Sequence, residues 1–186
     1  MPLQLQAYTA EGLVEGSLPP AGELSELLET LDSITVGAAV VTPLDGRPDV
    51  REPRAEIAID ELLVVVAPPS TPAPVHASWH ELALAVGPYL VEGLLPTLPG
   101  FDPGRALARP GGTFVLLSSA RVSLAGDRTG RGVEHPFAWV NRYAVESVEA
   151  DLDLAVFFPG ALSVIGHGAS ARPATLRPGP EVGTTA

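Results

Sequence analysis

The chain carries GLVEGSLPP at Gly12–Pro20 and YLVEGLLPT at Tyr89–Thr97. Leu13-Val14-Glu15-Gly16 returns as Leu90-Val91-Glu92-Gly93, 77 residues on. Both stretches read as short strands bounded by turn residues. A glycine inside a strand marks a bulge or a close backbone approach, so Glu15-Gly16 and Glu92-Gly93 read as bends in two equivalent strands.

The correspondence continues downstream in the same order. DSITVGAAVVTPLDG (Asp32–Gly46) lies over GTFVLLSSARVSLAG (Gly112–Gly126) at an offset of 80. EPRAEIAIDELLVVV, from Glu52, lies over HPFAWVNRYAVESVE, from His135, at an offset of 83. Offsets that grow in small steps are what loop insertions in one of two duplicated units produce. The expected fold is therefore all-β with minor helix: two tandem small β-barrels from an internal duplication, packed as a pseudo-dimer. Residues 1–67 form the first barrel and 80–168 the second. Residues 68–79 make a proline-rich linker, and 169–186 a disordered tail.

Local patterns fill in the units. Leu3, Leu5 and Ala7 alternate as on a half-buried strand. Between Ala21 and Asp32, Leu24, Leu27, Leu28 and Leu31 fall at helical spacing, with Glu23, Glu26 and Glu29 on the other face. Strands are expected over 34–42, 56–66, 81–86, 113–124 and 137–148, the second of these being one strand or two joined at Asp60-Glu61. Leu44-Asp45-Gly46 reads as a turn. In the second unit the helix is replaced by LPGFDPGRALARPGG, whose prolines and glycines favour a loop with one turn at 104–108. Leu152–Phe158 and Ala161–Ile165 supply one or two extra strands.

Composition narrows the function classes. Hydrophobic residues make up 46% of the 186 positions, enough for a core, and aromatics only 5%, so the core is built from Val, Leu and Ala. The net charge is −11, and every basic residue is arginine. Residues 1–80 hold 12 acids and 3 arginines, a balance of −9; residues 81–186 hold 10 and 8, a balance of −2. The first half therefore repels phosphate backbones and no basic footprint is visible, so no nucleic-acid partner is expected. The absence of cysteine excludes disulfides, thiolate catalysis and Cys-ligated zinc. No basic-then-apolar leader and no apolar run of spanning length occur, so a cytoplasmic protein without membrane insertion is expected.

Glu92-Gly93-Leu94-Leu95 followed by Phe101-Asp102 resembles the Sm motif, in which a G-x-L strand is followed by an aspartate; the asparagine of that motif is absent here. The order of elements is similar to Sm-like and SH3-like small barrels. Leu24-Ser25-Glu26-Leu27-Leu28 in the first unit, with Val140-Asn141-Arg142 and Val145 in the second, also resembles an uncharacterised bacterial small-barrel family. The resemblance implies a small-barrel fold and carries no activity with it.

Residues able to carry chemistry are few. His76 and His80 stand four apart, a metal-binding spacing on a helix, but about 13 Å apart in an extended chain at ~3.3 Å per residue. Ser118 and Ser119 lack the G-x-S-x-G elbow of a hydrolase nucleophile. Glu149, Asp151 and Asp153 would share one strand face, a solvated one without a glycine-containing calcium loop. Arg121, Arg128, Arg131 and Arg142 gather around the second unit's hairpin, where arginines could bind a phosphate or carboxylate bidentately. Phe137, Trp139 and Tyr143 concentrate the aromatic content and form a candidate interaction surface. The expectation is a non-enzymatic scaffold or protein-interaction module, with a protein partner or a homo-oligomer and with no cofactor or metal. The alternative is a nucleotide- or phosphate-like ligand bound by those arginines.

Overall fold

The computed structural model describes residues 2–19, 22–68, 77–100, 102, 112–127 and 131–166. The chain is mostly β-strand. β1 (Leu3–Tyr8), β2 (Gly12–Leu18), a helix α1 (Leu24–Thr30), β3 (Ser33–Pro43), β4 (Val50–Ala58) and β5 (Val64–Val66) come first. β6 (Ser78–Val86), β7 (Tyr89–Thr97), β8 (Phe114–Leu124), β9 (Val133–Asn141), β10 (Val145–Ala150) and β11 (Leu162–Ile165) follow. Short 3-10 turns occupy Ile59–Glu61 and Ala155–Phe157.

All eleven strands join one sheet in the order β11-β10-β6-β7-β8-β9-β5-β1-β2-β3-β4. This corrects the expectation of two closed barrels. The row is open, with β11 and β4 at its ends. Each half is an antiparallel meander of four strands, with its fifth strand returning beside its first. The edge that closure would use is taken instead by the other half, through β5 and β9.

The two halves share one hydrogen-bonding register. Adding 77 to residues of β1 and β2, 81 to β3, and 83 to β4 and β5 turns every ladder of the first half into its counterpart. Glu15↔Val40 becomes Glu92↔Arg121, Ile34↔Ile57 becomes Val115↔Val140, and Ala7↔Val65 becomes Leu84↔Val148. The middle offset is thus 81 within the strands, one more than the sequence suggested. Both Glu-Gly steps are bulges, with register shifts between Glu15 and Ser17 and between Glu92 and Leu94. Opposite them, the two described non-glycine residues with positive φ are Ala38 at 50° and Ser119 at 48°. Close approach demands glycine at the first bulge, where a Cβ on Gly16 would stand 2.6 Å from the Gly37 carbonyl oxygen, and favours it at the second, where one on Gly93 would stand 3.3 Å from that of Ser118.

Two cores form. The first holds Leu5, Val14, Leu24, Leu28, Ile34, Val36 and Val65, with Phe114 entering from β8. The second holds Leu84, Val86, Val91, Leu117, Val140 and Phe158, with Tyr8, Leu63 and Val64 entering from the first half. β5 explains its own sequence: successive side chains of a strand point to opposite faces, so Val64 fills the second core and Val65 the first, both fully buried. α1 buries Leu24 and Leu28 and leaves Leu31 exposed. Its Glu29 carboxylate reaches the second half, accepting the N–H of Thr113 at 2.6 Å.

Other expectations shift locally. The strand expected over 137–148 is two strands, broken where the Asn141 side chain accepts the N–H of Tyr143 at 3.1 Å. Leu152–Phe158 holds a 3-10 turn rather than a strand. β6 begins at Ser78, inside the span read as linker. Residues 69–76, the turn at 104–108 and the tail 169–186 lie outside the described residues.

Candidate functional site

The junction between the halves is built by backbone. Val64 pairs with Val140 and Val65 with Trp139. Beyond that pair the Asn141 N–H donates to the Leu63 carbonyl at 2.9 Å, and its side-chain Nδ2 to the Leu62 carbonyl at 3.1 Å. Pairing ends at Trp139, and β9 then diverges from β5 toward Pro136. The divergence opens a groove of about 490 Å³ between His135, Pro136 and Phe137 on one side and Val66, Ala67 and Pro68 on the other. Gln6 and Glu15 floor it, joined by a 2.7 Å hydrogen bond from Gln6 Nε2 to Glu15 Oε1.

His135 is buried there, with Nε2 3.0 Å from the Tyr8 hydroxyl. Tyr8 packs edge-on against Tyr89, ring centroids 5.3 Å apart, and the Tyr89 hydroxyl donates to the Thr9 carbonyl at 3.0 Å. Burial pushes the Tyr8 hydroxyl up to about 12, aided by the Glu15 charge, and the Tyr89 hydroxyl up to about 12, aided by Tyr8. Burial also holds the His135 imidazole below its ordinary value. At neutral pH both partners are neutral, so a hydrogen bond between uncharged groups ties Tyr8 to His135 beside the junction.

The residues singled out from the sequence are spread apart. Arg121 on β8 faces Glu92 on β7 and Glu134 on β9. It lines a groove of about 970 Å³ with those two acids and with Glu81, Glu149 and Asp151, so carboxylates outnumber the guanidinium. Arg131 is exposed at the end of the hairpin, and Arg128 lies outside the described residues. Arg142 is buried at the opposite end of β9. Its Nη1 donates to the Gly112 carbonyl at 3.4 Å and its Nη2 to that of Val156 at 3.5 Å. Glu134 and Arg142 are eight positions apart, about 26 Å along an extended strand at ~3.3 Å per residue. Arg121 and Arg142 therefore do not converge.

Phe137 and Trp139 are half-buried beside the junction, and Trp139 packs against the first core. Tyr143 is 63% exposed, under the Arg142 guanidinium at 5.6 Å. His80 Nε2 lies 2.9 Å from Thr97 Oγ1, and His76 is outside the described residues. Ser118 and Ser119 lie within β8, beside the bulge. Glu149 lies within β10, while Asp151 and Asp153 follow its end and Asp153 accepts the Ala155 N–H at 3.0 Å, so the three acids do not share a strand. Among the described residues no group of three or more His, Asp or Glu side chains could hold a metal ion. No helix among them is long and apolar enough to cross a membrane.

The two sheet edges, expected from the sequence to serve interaction, lie at β4 and β10–β11. Just past the end of β4, the Ile59 N–H donates inward to the Asp32 carbonyl at 2.9 Å. N–H groups alternate in direction along a strand, so the Ala58 N–H points away from β3, across the open edge. Its counterpart in the second half is Asn141, 83 residues on, whose N–H makes the junction bond to Leu63 while Arg142 N–H donates inward to Thr113 at 3.0 Å. The β10 edge is covered by β11, which pairs with it in parallel from Ser147↔Leu162 to Ala150↔Ile165.

The chain matches no known family model, no curated protein and no solved structure.

Proposed function

We propose that this protein is a non-enzymatic assembly module, descended from a duplicated five-stranded unit, that takes up an extended protein segment by strand addition at the β4 edge. The common register supports the duplication. So do the paired bulges and the two left-handed residues opposite them. Each of those residues also faces a proline, Pro53 or Pro136, by the surrounding pairings.

One observation carries the binding reading. The contact between the halves is itself a strand addition, made by β9, and β4 presents the counterpart of that strand with its Ala58 donor facing outward. In this mode main-chain bonds supply affinity and alternate side chains supply specificity. The arginine-based alternative has less support, because the groove around Arg121 carries five carboxylates that oppose an anion.

The test is an affinity capture from the native host with the wild-type chain and with Ala58→Pro. Ala58 has φ −67°, which proline adopts, and its N–H faces away from β3, so the fold should hold. Loss of the captured partner from the variant, with hydrogen exchange placing its contact on 50–58, supports the reading. A partner retained by Ala58→Pro, or protecting other strands only, overturns it.

A further inference from the structure

We infer that the segment the β4 edge accepts is β10 of a second copy of this chain, and that β11 is an intramolecular cap occupying that place. The inference rests on the strand-addition reading and names its partner. Within one chain, β9 sits on β5. Under the shared register β4 is the counterpart of β9, and β10 is the counterpart of β5. Every chain thus carries one junction made and the two halves of another unmade.

The cap covers the matching positions. Val64 and Val65 take Val140 and Trp139 at the internal junction, and their counterparts are Ser147 and Val148. Those two residues pair with Leu162 and Ser163 of β11. All four β11 side chains are exposed, Leu162 at 72%, so backbone bonds to β10 hold the strand and no buried apolar contact does. Such a segment opens at low cost. Its parallel pairing is also the weaker kind, whereas β4 would join antiparallel.

The register of the second junction follows from the first. Glu56 would face Val148 and Ile57 would face Ser147, with the Ala58 N–H directed at the Glu146 carbonyl. The contact is head-to-tail, so it propagates from chain to chain and either closes into a ring or extends.

Two uncapped forms test this: the chain ended at Gly160, and Val164→Pro in the full chain. Gly166 N–H donates to the Ala150 carbonyl at 3.2 Å, so by alternation the Val164 N–H also points at β10, and proline there removes a cap bond without altering β10. Mass is read by light scattering after size exclusion, with circular dichroism checking the fold. The expected result is a mass that rises with concentration above that of the intact chain in both uncapped forms, and returns to the intact chain's value when Ala58→Pro is added. Folded uncapped chains that keep the mass of the intact chain overturn the inference, as does growth that Ala58→Pro leaves unchanged. If host-partner capture still depends on Ala58 in that event, the strand-addition reading stands and only the second copy is wrong. If capture is also indifferent to Ala58, both fail.

Discussion

Asn141 donates its backbone N–H to the Leu63 carbonyl at 2.9 Å, across the line where the two halves of the sheet meet. The same residue donates Nδ2 to the buried Leu62 carbonyl and accepts the N–H of Tyr143, so it fixes the junction and ends β9 at once. Asn141→Ala leaves a buried carbonyl unmatched. The expected cost is about 1–3 kcal/mol, read from the urea midpoint. An unchanged midpoint would mean that the apolar pairs alone hold the halves together.

The bulges give a paired test. Ala38 and Ser119 are exposed and held at positive φ, a conformation that costs an L-residue roughly 1–2 kcal/mol and glycine almost nothing. Ala38→Gly and Ser119→Gly should each raise stability by about 0.5–1 kcal/mol after glycine's greater unfolded entropy is allowed for. Gly16→Ala should do the reverse, losing about 1–3 kcal/mol by overpacking. Gly93→Ala should lose less, because its added Cβ meets neighbours at 3.3 Å rather than 2.5 Å. Equal losses at the two glycines would contradict the geometry.

His135 and the two tyrosines set the pH limits. The folded chain holds His135 neutral where the unfolded chain takes up a proton near its ordinary value of about 6.5. Its contribution is therefore full above that value and falls as pH drops below it. Tyr8 and Tyr89 ionise at about 12 when folded and near 10.0 when unfolded, so their contribution is full below 10.0 and is lost as pH rises toward 12. Urea midpoints should stay level from about pH 7 to 9 and decline on both sides. His135→Gln should flatten the decline between about pH 7 and 5 relative to wild type. A variant with the same acid slope would remove His135 from the account.

Arg142 and Arg131 separate structure from surface. Arg142 is 1% exposed and bridges two backbone carbonyls of the second half, so Arg142→Ala should cost about 2–4 kcal/mol. Arg131 is exposed, and Arg131→Ala should stay within about 0.5 kcal/mol of wild type. A phosphate-induced thermal shift that both substitutions abolish would revive an anion site shared by the two.

Much of the strand plan was readable from residue patterns. The recurring LVEG marked two equivalent strands, and its glycine marked their bulges, because the neighbouring strand crowds the backbone there, severely at Gly16 and less so at Gly93. The break at Asn141–Ala144 was missed because no glycine or proline interrupts the run; the signal was Asn141 itself, whose side chain can mimic a turn. The open sheet was not readable. Alternation assigns a residue to a face of a strand but says nothing of which strand lies beside it, so β5 pairing with β9 instead of closing a barrel left no trace beyond the unbroken Leu62–Val66 run. The aromatic strand was noticed, yet Trp139 turned out to lie along the internal junction. Edge donors such as the Ala58 N–H belong to the backbone and have no residue signature at all.

Amide hydrogen exchange at Ala58 and Asn141 tests the central claim most directly, since the two are counterparts, one on the open edge and one on the made junction. The Ala58 N–H of the isolated chain should exchange as an unprotected edge donor and that of Asn141 should be slow, with Ala58 becoming slow once a strand is added at β4. An Ala58 amide already as protected as Asn141 in the isolated chain, or one still fast in the assembled form, would contradict it.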